Sequence, residues 1–442
     1  MGCYGQRLPV SPNLDRLAAE GTRFEYAFTC QPVCGPARAC LQSGQYATQV
    51  DCHRNRRILP EGLEDALARQ FNRAGYQTAY VGKWHLASSK ESSYRTEAIP
   101  PVGRGWYQYW MAADALEWTS HGYNGYVFDG DMKRHDFVGF RVDAINNYAV
   151  DFIHQHMERQ KEQGTDQPFF LFVSQLDPHH QNDRERYEGP DGSKKKFADY
   201  DVPGDLVGTQ GDWREYFPDY LGSCNQLDYN VGRLMDTLEA YGIKDNTILF
   251  YTCDHGSHFR TRNGEYKRAC HDACLRIPLI AWGGPFQGGN VVQDLVSLID
   301  VPPTLLECAG IGIPESYQGS SMIRLAKGNK EGWPKSIFAQ ISESETGRTI
   351  RTADWKYCVK APEFDGSKPY SDRYEEEYLY DLRADPHERN NLVANPDYAK
   401  VRGELKEQLL AYMKKAQEPE AVILPCQQEK NVEKAHLYIR SK

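Results

Sequence analysis

Cys34 stands in the run CGPARACLQSG, with Pro36 two residues on and Arg38 four residues on. Pro36 and the residues after it favour a helix that opens at the cysteine and closes near Gly44, which would aim helix amides at Cys34. A negative oxygen there would be stabilised. Arg38, one turn further along, falls on the same face and could neutralise an anion bound beside it. A cysteine so placed can be a low-pKa thiolate nucleophile, and the plainer alternative is a buried structural cysteine. Three further polar clusters follow apolar segments: Lys83, Trp84 and His85 after YQTAYVG, Asp177 to His180 after PFFLFVSQ, and Asp254 with His255 after NTILFYT.

The elements that would position these clusters have a repeating order. Ser11 and Pro12 before NLDRLAAEG read as an N-cap, a first-turn proline and an apolar helical stripe ending at Gly21. GLEDALARQFNRAG repeats the helical pattern before YQTAYVG, a helix over roughly 141 to 162 precedes PFFLFVSQ, and one near 220 to 241 precedes NTILFYT. Near-continuous apolar strands alternating with helices indicate a mostly parallel sheet covered on both faces, which binds ligands beyond the carboxyl ends of its strands. Each polar cluster sits at such an end. The segment from about 88 to 140 breaks the rhythm and reads as an insertion over the site; Trp106, Tyr107, Trp110, Trp118, Tyr123 and Tyr126 could stack on sugar faces or simply pack the loop down. After about residue 332 the texture changes to short strands and a polar helix from Asp397 onward, a compact α+β appendage. The expected division is therefore 1–332 and 333–442.

With 442 residues and 40% hydrophobic content the chain can bury a large core, so a disordered or fibrous class is excluded. A formal charge of −9 without a long basic block leaves no electrostatic footprint for nucleic acid. No stretch approaches about 18 consecutive apolar residues, so no membrane span is expected, and no basic and apolar leader follows Met1. Twelve cysteines are many for a cytosolic protein, yet a chain of this size needs no disulfide framework, and the compartment stays open on that ground. Cys270 and Cys274 lie near His271 and Asp272, but the paired CxxC spacing of structural zinc modules is missing.

The Cys34-x-Pro36-x-Arg38 run with its closing Gly44 resembles the signature of the formylglycine-dependent sulfatases, in which the cysteine is converted after synthesis into formylglycine. Four more segments resemble the family in the same order: GCYGQ with SPNLDRLAAEGTRF, GKWHL at 82 to 86, TCDHG at 252 to 256, and LYDLRADPHERNNL at 379 to 392. The resemblance implies an α/β, alkaline-phosphatase-like fold with a small C-terminal α+β subdomain. It also implies a mechanism. One hydroxyl of the hydrated aldehyde at position 34 attacks sulfur, and the second later expels sulfate and restores the aldehyde. Arg38, Lys83 and Lys267 would surround the sulfate oxygens. His85 would hydrogen-bond the formylglycine hydroxyl, and His179, with His180 as an equal candidate on sequence alone, would meet the leaving-group oxygen. Asp254 and His255, with position 34, would hold a divalent cation, calcium by resemblance, with magnesium or manganese as alternatives because a histidine ligand is softer than calcium prefers. His180, His258 and Arg262 are candidates for touching substrate.

The resemblance also marks a gap. Family members carry two adjacent aspartates on a first strand just before the segment corresponding to GCYGQ, and here Met1 stands at that segment, so a strand before Met1 is expected to be missing by truncation. A chain complete as given would bind metal weakly. A missing leader fits the same truncation, and a periplasmic or secreted bacterial location is expected. The resemblance implies maturation by formylglycine-generating machinery and a sulfated small molecule or glycan as substrate. Two other readings stand beside it: a phosphonate or phosphodiester hydrolase of the same superfamily, and an inactive sulfated-glycan binder.

Overall fold

The computed structural model of the chain describes residues 1–89, 92–363 and 368–426. Its first helix, α1 (Pro12–Glu20), has a proline that presets φ for a helix start and a stripe of Leu14, Leu17 and Ala18 that becomes buried. Ser11 occupies the N-cap position without capping: its hydroxyl accepts the Gly2 amide and donates to Asp15. Strand β1 (Thr22–Phe28) leads to α2 (Cys34–Ser43), every residue of which is buried. That helix closes at Gly44, whose φ of +67° is a left-handed cap that glycine adopts without strain. The helix expected over GLEDALARQFNRAG is shorter, α3 (Leu67–Arg73). Asp65 is drawn instead into tertiary bonds, its carboxylate accepting from Ser316 and its carbonyl from the Tyr317 hydroxyl.

Two sheets carry the site. In the first, β2 (Gln77–Lys83) is flanked in parallel by β3 (Tyr109–Ala113) on one side; β4 (Ser120–His121), β5 (Asn124–Asp129) and β6 (Arg134–Val138) extend it antiparallel beyond β3. On its other side β2 pairs in parallel with β7 (Phe169–Ser174). The segment 88–140 is thus more than an insertion, because β3 belongs to the sheet; its residues 90 and 91 lie outside the described ones. The second sheet consists of β8 (Leu249–Thr252), β9 (Arg276–Ile277), β10 (Leu279–Trp282), β11 (Asn290–Ser297) and β1, in the order β11-β1-β10-β8 with β9 beside β1. β1 and β11 run parallel, and β10 runs antiparallel to both of its neighbours. On one face Ala79 of β2 and Ile280 of β10 share a core with Leu14 and Leu17 of α1, Phe152 of the helix Arg141–Gln163 and Met235 of the helix Trp213–Ala240. On the other face Leu279 and Ala281 pack with Ala37 and Leu41 of α2. Helices therefore cover both faces, as continuous apolar strands require.

β7 and β8 differ from their neighbours. Phe172 and Phe250 both pack on the α2 side, and Leu171 and Tyr251 both pack on the α1 side, so the two strands lie in one layer. Among the described residues no ladder joins them. Every residue of β8, and all of β7 except Ser174, is only half-buried, whereas β2 is buried from Thr78 to Lys83.

The C-terminal part is a sheet of β12 (Ser336–Ile341), β13 (Gly347–Thr352), β14 (Trp355–Lys360), β15 (Arg373–Asp381) and β16 (Val422–Leu424), paired in chain order. The helix Ala399–Lys415 lays Leu405, Leu409 and Met413 on it. Phe338, Ile350 and Tyr357 of this sheet share one apolar core with Ala37 and Val296, so the two parts are packed together without a break. Of the expected span 333–442, residues 364–367 and 427–442 lie outside the described ones.

Candidate active site

Four elements deliver side chains to one point. The buried Cys34 opens α2, preceded by the extended Val33. Its Sγ lies 2.9 Å from Lys267 Nζ, 3.2 Å from His255 Nε2 and 3.7 Å from His179 Nε2. Gly35 permits this packing, since a Cβ there would come within 3.0 Å of Asn55 Oδ1 and 3.3 Å of the His85 carbonyl. Its amide donates to Asn55 Oδ1 over 2.9 Å. Arg38 ties the strand ends together: Nε donates to Asp254 beyond β8 at 3.2 Å, and one terminal nitrogen donates to the Lys83 carbonyl of β2 at 2.8 Å and to Ser174 of β7 at 2.5 Å. With a longer donation to the Tyr80 hydroxyl at 3.4 Å, four donations thus go to protein groups, and Arg38 braces the site as well as charging it. Lys83 lies 3.0 Å from Glu117, both side chains nearly inaccessible. His85 has a φ of +63°, and its buried Nδ1 has no hydrogen-bond partner among the described residues. A strained backbone at such a point is characteristic of functional sites.

The charges do not balance. Burial alone would raise the Cys34 thiol, but Lys267, Lys83 and His255 outweigh it and hold it well below its ordinary value. Burial likewise opposes ionisation of Glu117, and Lys83, His85 and His179 reverse that, so the carboxylate stays ionised. Asp254 is held down in the same way by His255 and Arg38. His179 is pushed to about 4, first by burial and then by Lys83 and Lys267. Its Nδ1 faces the His180 carbonyl at 2.6 Å and so carries the proton, leaving Nε2 as an acceptor 3.1 Å from the Tyr266 hydroxyl. Its histidines aside, the cluster holds three cations, Arg38, Lys83 and Lys267, against two carboxylates, Asp254 and Glu117. A thiolate at position 34 makes up the difference. A neutral group there would leave one positive charge for a bound anion.

Residues 1–311 match the family model described as sulfatase, and residues 264–415 match one described as N-sulphoglucosamine sulphohydrolase, C-terminal. The chain belongs to the sulfatase family. It is 30% identical to the uncharacterized sulfatase YidJ of Escherichia coli K12, over 95% of this chain and 85% of that one. It is 25% identical to the N-acetylglucosamine-6-O-sulfatase of Bacteroides thetaiotaomicron, over 92% and 83% of the two chains. A solved structure of a protein in complex with its substrate D-glucosamine-2-N,6-O-disulfate superposes with a TM-score of 0.74 at 22% identity, covering 94% of this chain and 95% of that one, and shares the fold. The protein is thus a sulfuric ester hydrolase of alkaline-phosphatase-like fold. No helix of the described residues is long and apolar enough to cross a membrane.

The sulfatase opens to solvent through a cleft of about 370 Å³ above Lys267, lined by His85, Glu117, His180, Asn182, Arg260 and Tyr266 among others. Of the residues singled out in the sequence, Cys34, Arg38, Lys83, His179, Asp254, His255 and Lys267 converge through the contacts above, while His85 and His180 line the cleft. His258 and Arg262 do not reach it. The loop folds back on itself, the His258 amide donating to the Tyr266 carbonyl, which leaves the His258 ring wholly buried with Nε2 near the Lys267 carbonyl. Arg262 turns away to donate to the carbonyls of His387 and Glu388. The aromatic segment does not line the cleft either. Trp84, Trp110 and Tyr107 pack around Tyr80, and the exposed Trp106 and Trp118 are covered by Arg69 and Arg95. The aromatic surface in the cleft is His180 stacked on Tyr266, ring centroids 4.8 Å apart. Cys270, His271, Asp272 and Cys274 do not converge: Asp272 pairs with Lys356 and Arg351, and His271 meets the Tyr380 hydroxyl.

The sulfatase family generally uses a metal ion. Among the described residues the one group of possible ligands that converges is Cys34, Asp254 and His255, with donor atoms within 4.8 Å of one another. Calcium takes six to eight oxygens. One carboxylate, already engaged through Oδ1 by the His255 amide and through Oδ2 by Arg38, falls short of that shell. The residues present fit such a cation only in part.

Proposed function

We propose that this sulfatase hydrolyses sulfate esters of a carbohydrate through a formylglycine formed from Cys34. The surplus cation around position 34 carries the reading. Conversion replaces a thiolate by a neutral hydrated aldehyde, and the freed positive charge matches the single negative charge of a sulfate monoester. Lys83 and Lys267 then hold the ester oxygens while one aldehyde-hydrate oxygen bonds to sulfur and the sulfur–oxygen bond to the alcohol breaks. His179, whose unprotonated Nε2 faces position 34, takes the proton of the attacking hydroxyl and passes it to the departing oxygen. Loss of the proton from the second hydroxyl re-forms the carbonyl and breaks the bond to the sulfated oxygen, releasing sulfate, and water restores the hydrate. The N-acetylglucosamine-6-O-sulfatase among the relatives supports a sugar as the alcohol.

A strand preceding Met1 is supported by β7 and β8, whose facing edges carry no ladder among the described residues and whose apolar residues are half-buried. Both strands end at Arg38, so a strand between them would reach the Asp254 and His255 donors and enlarge the ligand set. A sulfated glycan cannot cross a membrane unaided, which supports a periplasmic or secreted location.

Mass spectrometry of the tryptic peptide holding Cys34 tests the first step, since conversion lowers its mass by roughly 18 Da. Side-by-side kinetics on 4-nitrophenyl sulfate and an aryl phosphonate monoester test the second. Both esters are monoanions and suit the same surplus charge, so dominance of the phosphonate would move the assignment to the phosphonate and phosphodiester hydrolases. Glycan binding without turnover by converted enzyme would make the protein a binder.

A further inference from the structure

Beyond Lys267 the cleft changes character. Arg260 lies 2.7 Å from Glu185 and 3.4 Å from Asp212. Arg268 is in contact with Glu265 and Glu343. Arg260, Arg268, Glu185 and Glu265 line the cleft, and Asp212 and Glu343 reach the same arginines from outside its lining, so two guanidiniums meet four carboxylates, the reverse of the surplus around Cys34. Their positions are firmly held: Glu185, Arg260 and Arg268 have φ of +53°, +61° and +67°, a left-handed backbone that side-chain-bearing residues rarely adopt and that surrounding structure must impose. Asn182 also lines the cleft, its Oδ1 3.1 Å from the Tyr266 hydroxyl and 3.3 Å from His180 Nδ1, a contact that orients its amide group.

We infer that this outer cleft is the subsite for the alcohol half of the ester, and that it takes an uncharged sugar unit and rejects one bearing a carboxylate or a second sulfate. A sugar hydroxyl both donates and accepts, and a guanidinium beside a carboxylate offers both partners at once. An additional anion would have to displace Glu185 or Glu265 from its arginine and lie against the remaining carboxylates, a repulsive element that gives discrimination. The stacked His180 and Tyr266 rings supply the apolar wall for a sugar face.

The inference rests on the sulfatase reading, and its test separates the two. Converted full-length enzyme is assayed on 4-nitrophenyl sulfate, on hexose and N-acetylhexosamine monosulfates, and on glucosamine 2,6-disulfate. Expected is a neutral monosulfate preferred over the disulfate by about ten-fold or more in kcat/KM. Arg260→Gln should lower kcat/KM on that monosulfate at least about ten-fold further than on 4-nitrophenyl sulfate. Glu185→Lys, at a side chain 56% exposed and so tolerant of change, should shift the ratio towards the disulfate by about ten-fold. A wild-type preference for the disulfate, equal losses on sugar and aryl esters in Arg260→Gln, or turnover of the aryl ester with none on any sugar would overturn the subsite and leave the sulfatase reading intact. Failure on every sulfate ester would sink that reading, and this one with it.

Discussion

From residue 264 to 275 a loop and the short helix Asp272–Leu275 that ends it carry two buried clusters of charge that are built differently. At one end Lys267 joins Arg38 and Lys83, and these three cations face only Asp254 and Glu117. At the other end Asp272 joins Glu388, and these two carboxylates face Lys356 and Arg351, with the Asp272 amide donating to Glu388 at 2.7 Å. The second cluster closes on itself. Burial lowers Lys356 in principle, yet Asp272 and Glu388 overcome this and hold it charged. A balanced, hydrogen-bonded cluster fixes this segment against the C-terminal sheet, and an unbalanced one a few residues away is, on the proposed reading, a receptor for an anion. The contrast predicts that substitutions in the first should change turnover and those in the second should change stability.

The largest effect belongs to Cys34→Ala, which should remove turnover of 4-nitrophenyl sulfate by at least about 10⁴-fold. Residual activity within ten-fold of the native level would mean that position 34 is not the nucleophile. Lys267→Met should cost about 10²–10³-fold in kcat/KM. It should leave the denaturation midpoint unchanged or raised, because it removes the surplus cation. A lowered midpoint would show that Lys267 is held as structure. Lys356→Met should do the opposite. Leaving Asp272 and Glu388 buried without their cation should cost about 3–5 kcal/mol in urea unfolding, with kcat at low temperature within a few-fold of native. A selective loss of kcat at full stability would dissolve the distinction between the clusters.

How much of this was legible in the sequence follows from the same distinction. The strand-end clusters could be read because an apolar strand must stop where polar residues begin, and β2, β7 and β8 do so at Lys83, Ser174 and Thr252. Cys34 could be read because Pro36 and Gly44 bracket a helix. Glu117 could not: it comes from the irregular aromatic segment, and only the tertiary fold brings it to Lys83. Tyr266 had a signal in its adjacency to Lys267. Asn182 had one in its place two residues after His180, but neither residue type has a spacing rule that names its role. His258 and Arg262 were misplaced because nearness in sequence to Lys267 says nothing about direction once a loop reverses, and Arg262 was free to reach Glu388 instead. The open edges of β7 and β8 are visible only in the sheet.

Glu343 joins the two regions and gives the smallest effect. It lies in the turn between β12 and β13, with a φ of +68°. Its carboxylate accepts the Asn55 amide at 2.5 Å and contacts Arg268, while the neighbouring Ser344 hydroxyl donates to the Arg268 carbonyl at 2.7 Å. Asn55 in turn receives the amide of Gly35, next to Cys34, and Arg268 is next to Lys267. The C-terminal part therefore grips both halves of the pocket around Cys34 through one side chain that touches neither Cys34 nor Lys267. Glu343→Gln preserves shape and one acceptor but weakens the hold on Arg268, so Lys267 should sit less accurately against position 34. The expected outcome is a fall in kcat of about ten-fold with KM for 4-nitrophenyl sulfate unchanged, since misplacement by a fraction of an ångström acts on the reacting geometry more than on binding. If unfolding free energy falls while kcat holds, Glu343 belongs with the balanced cluster, and the C-terminal part serves the site only by covering it.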